Sequence, residues 1–501
     1  MNRDETVFPL DATGLRQRSI RGAIVTSSAQ VIKFCLLFAS QILLAHLLNP
    51  ADFGIIAMVA PVLGFVTVMS DLGIGQAITQ RPVLTGGQLN SVFWLSNLVT
   101  LSMALLLMIG APLLALLYRE PKLTPVAIAL AALVGVTGLS MQQSALLNRM
   151  MRFSALALAE TLAQALGLLV SALAALRGFG YWSLVMGQAA TTIVTGIVVW
   201  GASSWRPTWP SFSRDAFVIL RFGGNVTISN IALYLNTVLD NVLIGYYLGA
   251  ILLGIYDRAW KLVVMPLGQL MAPINRVAVP ALARLTDEPA RYKSAFGRMF
   301  RLLLFVSLPG LVIGAVASQP LIDILFGPKW HAVAPVFSWL CLGSLLTPVN
   351  TATFWIFISQ GRARDQMIYG TAAAVINILT YVVGVHWGLL GVARTSTIVA
   401  YILTTPLLVL TASRSGPVTR NYFLGSLYPF FFSTLGGIIA VGLYLYLLHA
   451  TGVMDLLGLL LAAYGVSLPI LACFAQGRAT LKEAANLIGS LRSDSRLGHG
   501  L

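Results

Sequence analysis

Long apolar stretches alternate with short polar connections along the whole chain of 501 residues. We count about fourteen stretches of roughly 20 residues, the length with which a helix crosses a hydrocarbon core about 30 Å thick. None of them shows the ten-residue alternation of an outer-membrane barrel, and a backbone in lipid must satisfy its hydrogen bonds internally. The pattern therefore predicts an all-α polytopic membrane protein.

Positive charge is sorted onto one side of these stretches. Hydrophobic residues make up 57% of the chain, charged residues only 10%, and the net charge is +15. Twenty-four of the 32 lysines and arginines lie on alternate connections or the two tails, and four lie on the opposite connections. Because basic residues stay on the cytoplasmic side, both termini are predicted to be cytoplasmic and the span count even. The excess charge then indicates topology and contact with membrane lipids, and we expect no nucleic-acid partner.

An internal repeat divides the chain. A shift of 200 residues places Phe53-Gly54-Ile55 on Leu253-Gly254-Ile255, and six predicted spans separate the copies. Copies separated by an even number of spans have the same orientation, which predicts two six-helix lobes in a parallel repeat plus two C-terminal helices. The predicted segments are a cytoplasmic tail (1–22), an N-lobe (23–205), a cytoplasmic linker helix (206–221), a C-lobe (222–412), spans thirteen and fourteen (413–475) and a cytoplasmic tail (476–501).

Five short motifs, in this order and spacing, carry a resemblance to a known family. They are Pro50-Ala51-Asp52-Phe53-Gly54, Ser70-Asp71-Leu72-Gly73-Ile74-Gly75-Gln76-Ala77, Tyr181-Trp182-Ser183-Leu184-Val185-Met186-Gly187-Gln188, Leu253-Gly254-Ile255-Tyr256-Asp257-Arg258-Ala259 and Phe326-Gly327-Pro328-Lys329-Trp330. The chain resembles the bacterial polysaccharide flippases of the multidrug/oligosaccharidyl-lipid/polysaccharide exporter superfamily. The resemblance implies a cavity lined by spans one, two, seven and eight, alternating access, and export of an isoprenoid-diphosphate-linked oligosaccharide across the inner membrane. The resemblance also suggests a glycan polymerase and assembly proteins as protein partners.

Four cations lie inside predicted spans, where an exposed charge costs about 2.5 to 3.5 kcal/mol. Lys33 lies about ten residues into span one, roughly 15 Å deep, and is the best candidate for a cavity cation in the N-lobe. Arg394, near the start of span twelve, is either a second cavity cation or a side chain that reaches back to the interface.

The other two cations, Arg258 and Lys261, lie close together in span eight. Asp257 and Lys261 are four residues apart on one helical face, which favours an ion pair. Arg258 then points elsewhere, toward Asp240 of span seven or toward a ligand. A phosphate group would suit as that ligand, because the planar guanidinium of arginine matches its oxygens. Two interpretations stay open for this cluster: contact with a substrate diphosphate, or a structural ion-pair network.

Acidic residues and helix-bending residues suggest how transport could be driven. Asp71, Glu160 and Asp240 are candidates for proton or sodium coupling, although the position of Asp71 close to the cytoplasmic interface favours a helix-end or gate residue. The coupling ion is not identified by the sequence. Candidates for bending are Gly73, Gly75, Pro266, Pro273 and Pro280; static kinks are the alternative.

No catalytic motif is present, so we predict a transporter without a resident cofactor or metal rather than an enzyme. A membrane glycan polymerase or ligase is less well supported, because the longest predicted external connection is short. A cation-coupled drug antiporter shares the fold, but intramembrane arginine and lysine favour an anionic substrate. A peptidoglycan-precursor flippase matches the motifs less well.

Overall fold

The computed structural model describes residues 15–71, 78, 85–210, 214–448 and 452–497. The regular elements in these ranges are helices. In the first half of the chain they are α1 (Leu15–Leu47), α2 (Pro50–Asp71), α3 (Gly86–Tyr118), α4 (Leu123–Arg149), α5 (Phe153–Leu176), α6 (Trp182–Ala202) and α7 (Arg214–Ala283). In the second half they are α8 (Pro289–Val316), α9 (Ser318–Leu325), a 3₁₀ turn (Pro328–Trp330), α10 (Val333–Ser344), α11 (Thr347–Ser359), α12 (Ala363–Val385), α13 (Gly388–Val399), a π-helical turn (Ala400–Thr404), α14 (Thr405–Ala412), α15 (Arg420–Leu448), α16 (Val453–Cys473) and α17 (Ala475–Leu497).

Thirteen helical segments among the described residues are long and apolar enough to cross a membrane. One of them, Thr237–Ala283, is 47 residues long and contains predicted span eight (252–274) and the C-terminal part of predicted span seven (222–248). These two spans are separated at Gly249, where the backbone leaves the helical region (φ 82°, ψ 178°). A positive φ of this kind is readily adopted only by glycine. The all-α polytopic prediction of about fourteen spans is confirmed.

The apolar surface of α3 shows what kind of solvent surrounds the protein. One face of this helix is packed inside the protein, where Leu107 and Ala111 are buried. The opposite face exposes a row of large apolar side chains: Leu105, Leu106, Ile109, Leu113 and Leu116. A soluble protein rarely exposes a contiguous apolar face of this extent, whereas lipid tails favour it.

The chain forms two compact units, Met1–Asp257 and Arg258–Leu501. In the first unit α3 packs on α4, α5 on α6, and α1 on α5. Val66, Leu107 and Ala131 form one core between α2, α3 and α4. The predicted lobe boundary lies earlier, in 206–221, of which 211–213 fall outside the described residues. The division into lobes therefore stays a prediction.

The second unit is organised around α8. This helix packs against α10, α15 and α16. Val312 of α8 and Ala317, the residue that follows α8, share a core with Val441 of α15 and with Leu459 and Ala463 of α16.

Both ends of the chain are more helical than the polar tails predicted for them. α1 begins inside the predicted N-terminal tail, and the predicted C-terminal tail is largely the helix α17. The first segment is rich in arginine and the second in leucine and alanine, all of which are good helix formers.

The internal repeat has a structural counterpart within the first unit. A methyl group added to Gly54 would overlap the carbonyl oxygen of Ala250, and one added to Gly254 would overlap the carbonyl oxygen of Pro50. The shift of 200 residues that relates the two copies exchanges these two contacts. The start of α2 and the part of α7 after Gly249 therefore meet backbone to backbone through repeat-related glycines.

Candidate functional site

An ion pair joins two predicted spans inside the first unit. Lys33 Nζ of α1 lies 2.8 Å from Glu160 Oε2 of α5. The two side chains are 32% and 49% exposed, so the pair stands at an accessible surface rather than in a packed core. Sequence reasoning identified both residues but did not join them, because 127 positions separate them and helix packing is not visible in a local pattern.

Glu160 also lines a cavity of about 480 Å³ between α1, α4 and α5. Half of the residues that line it are polar: Thr26, Gln30, Ser144, Asn148, Glu160 and Thr161. The apolar half is Ala29, Met141, Ala145, Phe153, Leu156 and Ala157. Hydroxyl and amide groups both donate and accept hydrogen bonds, which is what a ligand rich in hydroxyl groups requires.

Buried polar contacts fix the cavity wall that α4 supplies. Gln142 Nε2 donates to the carbonyl oxygen of Leu89 at 2.9 Å, and Gln143 Oε1 accepts from Ser203 Oγ at 2.6 Å. About two turns further on, the buried Arg149 donates through Nη1 to the carbonyl oxygen of Ile78 at 2.6 Å. Buried hydrogen bonds of this kind hold a helix in one orientation. The polar residues of α4 are therefore presented to the cavity from a rigid support.

A second acidic residue, Asp240 of α7, is buried and well bonded. Its Oδ2 accepts from the hydroxyl of Tyr256 at 2.9 Å, and its Oδ1 accepts from the backbone N–H of Asn241 at 2.8 Å. Tyr256 was missed by sequence reasoning, although its place in a resemblance motif is a usable signal. Asp240 was predicted to face Arg258 or an ion; both roles stay predictions.

The remaining predicted residues lie at several places in the chain. Asp257 and Arg258 are buried, and Lys261 is half-buried. Arg394 is exposed and lies over the ring of Trp339, 5.7 Å from its centroid, a cation–π arrangement that suits a partly apolar surface.

The predicted bending residues are only partly described. Pro266, Pro273 and Pro280 lie within the helical part of α7 that follows Gly249, and none of them is buried. Gly73 and Gly75 lie outside the described residues, as does the side chain of Asp71, the last residue of α2. Bending at any of these positions stays a prediction.

The sequence of this chain matches one protein family. Residues 43–335 match the family described as polysaccharide biosynthesis protein, which is more than half of the chain. The chain belongs to this family. Among curated relatives, the lipopolysaccharide biosynthesis protein WzxC of Escherichia coli is 25% identical over 436 residues, covering 84% of this chain and 86% of WzxC. The teichuronic acid biosynthesis protein TuaB of Bacillus subtilis is 26% identical over 385 residues, covering 75% and 79%.

Solved structures show the same fold. The lipid II flippase MurJ, in an inward closed conformation, superposes with a TM-score of 0.72 at 15% identity, over 90% of this chain and 98% of MurJ. The family and the fold together identify a multi-pass membrane protein of polysaccharide biosynthesis.

Proposed function

We propose that this protein is a flippase that moves an isoprenoid-diphosphate-linked oligosaccharide from the cytoplasmic to the periplasmic leaflet of the inner membrane by alternating access. The observation that carries the proposal is the cavity of the first unit, half of whose lining residues are polar, with Glu160 in its wall and Lys33 paired to Glu160. A glycan needs hydroxyl and amide partners, and its diphosphate needs a cation. The names of WzxC and TuaB, which place both in the biosynthesis of surface glycans, support this substrate class.

The direction of transport follows from the charge sorting along the chain. The basic connections and both tails would face the cytoplasm, where sugars are assembled on the lipid carrier. α1 begins at the N-terminal tail, and Thr26 and Gln30 lie in its first half. The cavity of the first unit would then lie toward the cytoplasmic half of the membrane, where the substrate enters.

The test follows the lipid-linked repeat unit in cells that lack the gene. We expect the repeat unit to accumulate in the cytoplasmic leaflet, and wild-type protein to restore its appearance on the periplasmic side. Lys33→Ala and Arg258→Ala should each reduce this restoration. Lys122→Ala, which removes an exposed cation at the start of α4, is the matched control and should restore transport fully.

Two outcomes would overturn the proposal. Normal appearance of the repeat unit outside the cell without the protein would exclude the flippase function. A normal leaflet distribution combined with raised sensitivity to cationic drugs would favour the antiporter instead.

A further inference from the structure

The Lys33–Glu160 pair places a fixed anion beside the cation that the proposed function assigns to the diphosphate. A lysine ammonium has three N–H donors on a flexible stem, and in this structure one of them meets Glu160 at 2.8 Å. Because both side chains are partly exposed, either can change its partner without disturbing the packed core.

We propose that Glu160 is an internal counter-anion that competes with the substrate diphosphate for Lys33. This inference rests on the proposed function and names the residue that would regulate it. In the empty carrier, Glu160 neutralises Lys33. In the loaded carrier, the diphosphate replaces Glu160, and Glu160 regains Lys33 when the substrate leaves.

The exchange solves a problem of charge in the membrane. A lysine without an anionic partner is disfavoured in an apolar segment, whether the carrier is loaded or empty. A diphosphate carries more negative charge than a single carboxylate and offers several acceptor oxygens, so it can displace Glu160 while it is bound. The Glu160 carboxylate then pairs with the Lys33 ammonium while the empty carrier returns.

The position of Glu160 also links the two parts of the substrate. Glu160 both contacts Lys33 and lines the cavity whose other polar groups are hydroxyls and amides. A carboxylate released from Lys33 is a strong acceptor for sugar hydroxyl groups. Diphosphate bound at Lys33 would therefore free an acceptor for the adjoining sugar.

The experiment measures binding of farnesyl diphosphate, a short isoprenyl diphosphate, to the full-length protein in lipid nanodiscs. Removing the competitor in Glu160→Gln should tighten binding about fivefold, the effect of a partly exposed ion pair worth roughly 1 kcal/mol. Lys33→Gln should weaken binding about tenfold or more, because it removes a charge-assisted hydrogen bond. The double variant should bind as weakly as Lys33→Gln, and Glu160→Asp should stay near wild type.

Two controls separate competition from a general change of structure. Glu288→Gln removes a carboxylate that is equally exposed and paired at 2.7 Å with Arg291, and it should leave binding unchanged. Farnesol, which lacks the diphosphate, should bind wild type and Glu160→Gln equally. In cells, the tighter binding of Glu160→Gln should slow delivery of the repeat unit to the periplasmic leaflet.

Failure of this inference is distinct from failure of the proposed function. Wild-type protein that does not bind farnesyl diphosphate would overturn the counter-anion assignment, and so would unchanged or weaker binding by folded Glu160→Gln. Neither result would alter the leaflet assay, which tests the flippase function alone. Conversely, binding as expected by a protein that moves no repeat unit would refute the flippase function and leave the competition between Glu160 and diphosphate established.

Discussion

Gly54 and Gly254 bring two helices of the first unit into backbone contact at positions related by the internal repeat. Gly54 faces the carbonyl oxygen of Ala250, and Gly254 faces that of Pro50. Small residues at a helix crossing allow the close approach that stabilises helix pairs in lipid. The contact explains why both copies of the motif carry glycine at this position.

We predict that Gly54→Ala and Gly254→Ala each destabilise the protein. The added methyl would overlap a backbone carbonyl, which cannot swing aside as a side chain can, and such overpacking typically costs about 1 to 3 kcal/mol. This exceeds the gain of up to about 1 kcal/mol from replacing glycine in a helix. Thermal unfolding in detergent should show a lower Tm for both variants. Gly110→Ala is the matched control, because its methyl would meet open space, and its Tm should be unchanged or higher.

The double variant Gly54→Ala/Gly254→Ala should lose less stability than the two single losses added together. Both methyl groups would push apart the same pair of helices, so the second methyl meets a contact that the first has already opened. The measurement is a double-mutant cycle on the Tm or on the midpoint of denaturant unfolding. Fully additive losses would show that the two glycines belong to separate contacts.

The hydropathy pattern predicted the fold well, because a long apolar segment in hydrocarbon forms an α-helix, which satisfies its own backbone hydrogen bonds. The helices follow the predicted spans, and the break between spans seven and eight lies at Gly249. The repeat was also visible, since Gly54 and Gly254 stand in matching motifs. The lengths of the two terminal helices were not visible in the sequence, because a polar helix and a polar tail without regular structure have similar compositions.

The candidate site was predicted as residues but not as contacts. Lys33 and Glu160 stood out because charges are rare in spans, yet their pairing depends on how α1 packs against α5. Tyr256 escaped notice because a tyrosine in a membrane helix is unremarkable until a buried acid such as Asp240 is found beside it. Both contacts depend on how the helices pack, and no local pattern in a single sequence shows which helices pack together.

We predict that Tyr256→Phe destabilises the first unit. The tyrosine hydroxyl donates at 2.9 Å to Asp240, a carboxylate that is 6% exposed. Loss of a hydrogen bond to a buried charged group costs about 1.5 to 3 kcal/mol. Chemical denaturation of the purified protein should show this loss.

Tyr246→Phe provides the control for that measurement, because Tyr246 lies on the same helix with an exposed side chain. The Asp240→Asn variant should reduce the effect of Tyr256→Phe, since the acceptor is then no longer a carboxylate. An effect of Tyr256→Phe that is the same size in the Asp240→Asn background would contradict the assignment of this hydrogen bond.

Arg362 has a structural role that the charge sorting did not reveal. By its position it marks the predicted cytoplasmic side, like the other cations of the connections. In the second unit its guanidinium donates to the carbonyl oxygens of Thr411 and Ala412, both at 2.7 Å, and to that of Ser415 at 2.9 Å. Its Nε donates to Asp365 at 2.8 Å. A single planar group therefore satisfies the carbonyls at the end of α14, where the negative end of the helix dipole favours a cation.

We predict that Arg362→Lys lowers the stability of the second unit by about 2 kcal/mol, because an ammonium cannot reproduce several divergent hydrogen bonds from one plane. The loss of the guanidinium over the ring of Phe357, 5.4 Å from the centroid, acts in the same direction. Arg364→Lys is the matched control two residues away, with an exposed side chain and the same change of chemistry. Since both variants keep the positive charge, the topology signal is unchanged in either. A lower Tm for Arg362→Lys alone therefore assigns the effect to hydrogen-bond geometry, whereas equal Tm values for the two variants would show that Arg362 contributes only its charge.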